Sequence, residues 1–92
     1  MTDRPPHASE LVARAGAAIY GAEWQNPLAR ALGINERTMR RLAAAARDGE
    51  PYPVAPGALR DLAQLVREAG QDLMARHHEC EHLSAELVDL VA

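Results

Sequence analysis

Apolar positions along this 92-residue chain recur at spacings of three and four, the period of an amphipathic helix, and no stretch alternates as a strand does. The pattern predicts an all-α fold. Residues 1–7 are polar and proline-bearing and are expected to be disordered. A first helix is expected after Ser9 as N-cap, with Leu11, Val12, Ala15 and Ile19 on its inner face and Gly21 at its end. Two short helices follow at about 24–32 and 35–47. The run Asp48–Gly57 is broken by prolines, so 51–57 is expected to be a connector pressed on the domain through Tyr52 and Val54. Residues 58–92 return to helical period and form a C-terminal segment.

The densest information lies between Leu28 and Leu42. Leu28 and Leu32 give the first short helix an apolar side, and Ala29 is small enough for a second helix to cross it. Gly33 stands where the chain must reverse with positive φ. Ile34 returns to the core, Asn35 can cap the next helix, and Met39 and Leu42 hold that helix down. These positions make residues 8–50 a helix-turn-helix domain. At about 100° per residue, Met39, Leu42, Ala43 and Ala46 share a buried stripe. Arg37, Arg41 and Ala44 lie nearly opposite, with Thr38, Arg40 and Arg47 on the flanks. Arginine presents a planar fork that fits the O6/N7 edge of guanine or two phosphate oxygens, and alanine leaves room for close approach to a groove floor.

Residues 20–47, with Tyr-Gly-x-x-Trp-Gln ahead of Leu-Ala-Arg-x-Leu-Gly-Ile-Asn-x-Arg-Thr-x-Arg-Arg, resemble the small helix-turn-helix proteins of phages and prophages. These are similar to the Cro and lambda-repressor group and to the small repressors associated with anti-CRISPR operons. The resemblance covers about a third of the chain and implies a transcriptional regulator that binds operator DNA as a dimer. It also implies that Gln25 donates to a phosphate beside a helix N-terminus. Pro27 departs from the pattern, because proline is tolerated only in the opening turn of a helix; that helix must begin between Trp24 and Asn26. Arg30 and Arg47 are expected to hold phosphates. Asn35 can cap, touch DNA or do both. Glu36 suits the positive end of the helix dipole and could also accept from a cytosine amine or orient Arg40. Trp24 is expected in the core, although its indole N–H could reach a phosphate at the rim.

A net charge of −3 argues against a DNA-binding protein until its distribution is considered. Residues 28–47 carry five Arg against Glu36 alone, whereas residues 51–92 carry three Arg against seven acids. DNA responds to the local patch within a Debye length of about 10 Å. No Phe and one Trp leave Ala and Leu to fill a modest core, so association is expected to add stability. Neither a membrane-spanning run nor a secretory signal is legible, and the lone Cys80 fits a reducing compartment. A cytoplasmic, nucleoid-associated protein is expected.

In the C-terminal segment Leu59, Leu62, Val66, Ala69, Leu73, Cys80, Leu83, Leu87 and Leu90 keep alternating spacings of three and four, broken only at Arg76. Such a seam is expected to pair with the same helix of a second subunit. Gly70 leaves open a break into a helical hairpin folded on the domain. His78 and His82 are spaced to chelate a metal, but a structural site needs about four ligands and no second pair is nearby, so no metal or other cofactor is expected. Gly-rich phosphate loops and nucleophile–base spacings are missing as well, which argues against an enzyme. The expected protein is a homodimeric, autoregulatory repressor on an inverted repeat of double-stranded DNA, read from the major groove. The alternative is an antitoxin or anti-defence module whose C-terminal helix binds another protein.

Overall fold

The computed structural model describes residues 4–92, and within them the chain is helical with no strand. Helix α1 spans Ala8–Tyr20, followed by a single 3₁₀ turn at Gly21–Glu23. Helices α2 (Gln25–Leu32), α3 (Glu36–Arg47) and α4 (Pro56–Val91) complete the fold. One core joins them: Val12, Trp24, Leu28, Ala29, Met39, Leu42, Ala43 and Leu62, with Tyr52 and Val54 of the connector packed at its edge.

Helix α1 begins earlier and is turned further than its hydrophobicity suggests. His7, not Ser9, is the N-cap residue, and its N–H donates to the Glu10 carboxylate at 3.0 Å. Ser9 is wholly buried, and its hydroxyl donates to the Glu50 carbonyl at 2.8 Å, tying α1 to the connector. The buried side of α1 is Ser9, Val12 and Gly16, while Leu11 is 46 % exposed. Against the expected stripe this is a rotation of about 80° at 100° per residue. A serine with an internal acceptor and a glycine beneath an indole can go inside, although neither scores as hydrophobic.

The N-terminal segment is also more ordered than expected. Residues 1–3 lie outside the described residues, but Arg4 donates to Glu10 at 2.9 Å and to the Gly49 carbonyl at 3.4 Å. The Arg4 guanidinium, and after it the His7 N–H, hold the Glu10 carboxyl below its ordinary range against the opposing effect of desolvation.

Two helix ends are closed by the same device. Gly33 has φ 67°, and the N–H groups of Gly33 and Ile34 reach back to the carbonyls of Arg30 and Ala29. Gly49 has φ 69°, with Gly49 and Glu50 bonding to Ala46 and Ala45. Both are Schellman closures, which need the left-handed conformation that glycine adopts without strain.

The connector is shorter than 51–57. Pro56 occupies the first turn of α4, where its fixed φ favours the helix and its missing N–H costs nothing, so 56 and 57 are helical. Helix α4 then runs unbroken through Gly70, which excludes a hairpin there. Leu62 is 5 % exposed and packs on the protein's own domain with Leu59 and Leu65. Leu59 and Leu62 are therefore not available to a partner's seam, and the free apolar face begins at Val66. From 71 to 92 every residue is exposed, an overhang of about 30 Å at 1.5 Å per residue. No helix of the described residues is long and apolar enough to cross a membrane.

Candidate nucleic-acid interface

Helix α3 has two unlike sides. Met39 and Leu42 are almost fully buried with Ala43, whereas Glu36, Arg37, Thr38, Arg40, Arg41 and Arg47 are exposed. Ala44 is half-buried, like Ala45 and Ala46, in the last turns of α3. It is therefore less open than a position opposite the buried stripe would be. The helix is held at its start by Asn35, whose Oδ1 accepts the Arg37 backbone N–H at 2.8 Å. Capping uses the side-chain carbonyl of Asn35 and leaves its NH₂ free to donate.

The turn at Gly33 fixes α2 against α3 through Leu28 and Ala29, both fully buried. Gln25, the first residue of α2, is half-buried at the junction of two surface hollows. One of about 430 Å³ runs between the start of α2 and α3 and is bordered by Ala22, Glu23, Gln25, Asn26, Pro27 and Arg40. The other, about 370 Å³, lies between α1 and α3 and is bordered by Arg14, Trp24, Gln25 and Arg47. The fold thus gathers Gln25, Arg40 and Arg47 on one continuous side. Arg30 stands apart, exposed in the last turn of α2 and bordering neither hollow.

Arg14 is the residue that the sequence did not reveal. It is exposed on α1, outside the motif, and only the packing of α1 on α3 sets it beside Arg47. Its one legible sign is that it falls off the apolar stripe of α1.

Among the described residues the carboxylate contacts are the Arg4–Glu10 ion pair and two histidine contacts, His77–Glu81 and His82–Glu86, which are ion pairs only when the imidazole is protonated. The arginines of α3, and Arg14 and Arg30, have no carboxylate partner among the described residues. A helix face of uncompensated guanidinium groups on a rigid support is suited to polyanions. The two histidine pairs are exposed i,i+4 contacts along α4, with His78 and His82 on a surface open to water.

The far end of α4 is of different character. Cys80, Leu83, Ser84, Leu87, Val88 and Val91 border a shallow, largely apolar hollow on the overhang. Leu73, Met74 and Leu90 are also more than half exposed. Of the expected seam, Val66, Leu73, Cys80, Leu83, Leu87 and Leu90 are thus open to a partner. No family model matches the chain, nor does any curated protein or solved structure, so the helix-turn-helix resemblance stands on the residues alone.

Proposed function

We propose that this protein is a sequence-specific DNA-binding repressor that acts as a homodimer on an inverted-repeat operator, autoregulatory and of phage or mobile-element type. The observation that carries the reading is the exposed, unpaired face of Arg37, Arg40, Arg41 and Arg47 on a helix whose other side is locked by Met39 and Leu42. In this reading α3 enters the major groove, Arg37 and Arg41 reach base edges, and Gln25, Arg40 and Arg47 hold phosphates. Arg30 reaches a phosphate from the outer side of α2. Two such helices, about 34 Å apart, would occupy successive grooves. Occupying a promoter is enough to block polymerase, so neither cofactor nor catalysis is required.

The overhang of α4 supports association. An apolar face that long, left bare, is a liability on a monomer, and pairing two copies would cover it. Linking two half-sites raises the effective concentration of the second to about millimolar, so the overhang governs operator affinity without touching DNA. The same exposed face favours a second reading, in which the overhang binds another protein and DNA binding is secondary.

Footprinting on the DNA just upstream of the protein's own gene tests the proposal. The expected result is protection of a palindrome, lost when Leu83 and Leu87 are both replaced by Gln and the protein sediments as a monomer. Absence of protection counts against repression. A wild-type chain that sediments as a monomer points to the partner-binding module instead.

A further inference from the structure

We propose that the hollow between Arg14 and Arg47 is an anion site that takes a phosphodiester of the DNA backbone beside the bases facing α3. The inference rests on the DNA-binding reading above and adds to it a site on α1, outside the helix-turn-helix. Two arginines border one hollow, and neither has a carboxylate within ion-pair distance among the described residues. Glu10 also borders it, but its carboxylate is already engaged by Arg4 at 2.9 Å and by the His7 N–H at 3.0 Å. Like charges gathered on one side, with the nearby Glu10 carboxylate already paired to Arg4, raise the local potential, and an anion placed between them relieves it.

The shape agrees with the charge. Ala13, Ala43 and Ala46 border the hollow without bulk. The Trp24 ring, 9 % exposed and fixed over Gly16, forms a rigid side. A planar, five-donor fork on each flank matches the two free oxygens of a phosphodiester. Continuity supplies the rest. Gln25 borders both this hollow and the one beneath Arg40, so a backbone lying along the start of α2 would pass from Arg40 by Gln25 into the Arg14–Arg47 hollow. The contacted strand is then longer than α3 alone accounts for.

The test is a salt titration of duplex binding with the intact chain, read by fluorescence polarisation between about 50 and 200 mM salt. Arg14→Gln should lower the slope of log K against log salt by about 0.9 per bound protomer. Its deficit relative to wild type should therefore shrink by about 3.5-fold per protomer across that range. Arg14→Lys should restore the slope, the preferred base sequence should not change, and Arg67→Gln on α4 should behave as wild type. An unchanged slope in Arg14→Gln, with wild-type binding intact, overturns the site and leaves the repressor reading standing. A shifted base preference in that variant also overturns it, since Arg14 would then read bases. Wild-type protein that binds no duplex overturns both.

Discussion

Replacing Gly16 by alanine should destabilise the protein, although alanine is the better helix former. In an exposed helix the exchange would gain about 1 kcal/mol. Here a Cβ at residue 16 would stand 2.5 Å from Trp24 Cε3, 2.9 Å from Cδ2 and 3.1 Å from a methyl of Leu28. Restoring ordinary contact requires the indole to move by about 1 Å, and it has little room, with Leu28 fully buried beside it. Overpacking of this kind costs typically 1–3 kcal/mol, which exceeds the helical gain. The expected net loss is about 1 kcal/mol, or a fall in melting temperature of about 4–8 °C for a domain of this size. Gly70→Ala serves as the opposite case: nothing lies within 4 Å of its Cβ, so helix α4 should gain up to about 1 kcal/mol. Urea unfolding followed by the fluorescence of Trp24, the one tryptophan, reads the first variant directly. A Gly16→Ala midpoint at or above wild type would refute the packing of Trp24 on α1, and with it the rigid side of the Arg14–Arg47 hollow.

Two further outcomes follow from the helix starts. Asn35→Ala removes the acceptor of the Arg37 N–H and should cost about 1 kcal/mol in unfolding experiments; an unchanged stability would mean that the cap contributes nothing. The lowered Glu10 carboxyl stabilises the fold above the ordinary carboxylate range, and this contribution is lost as pH falls through the lowered value. An NMR titration of the Glu10 carboxyl should therefore give a midpoint below that of a free glutamate, displaced upward in Arg4→Gln, and a midpoint equal in both proteins would contradict the contact.

Much of the fold was legible because local and global signals coincide between Trp24 and Arg47. Leu28, Ala29, Met39 and Leu42 are apolar and buried, Gly33 is left-handed, and Asn35 caps. Signals failed where a residue's role depends on a distant part of the chain. Ser9 resembles a cap until Glu50, 41 residues away, supplies an acceptor for its hydroxyl. Gly16 carries no hydrophobic signal, yet it seats Trp24. Pro56 marked a break, but in the first turn it starts a helix. On α4 the three–four spacing continues from the stretch that packs on the domain into the overhang, so the period alone could not tell Leu59 and Leu62 from Leu83 and Leu87. In the candidate interface the α3 arginines were readable from periodicity, whereas Arg14 needed the packing of α1 on α3.

Selection of bound duplexes from a randomised library tests the central claim most directly, run in parallel on wild type, Arg37→Ala and Arg41→Ala. The account predicts that wild type recovers a two-fold symmetric sequence. Each variant should lose preference at one symmetric pair of base positions, equivalent to about 1–3 kcal/mol of discrimination. Recovery of no common sequence by wild type, or of the same sequence with undiminished preference by both variants, would contradict the assignment of α3 as the helix that reads DNA.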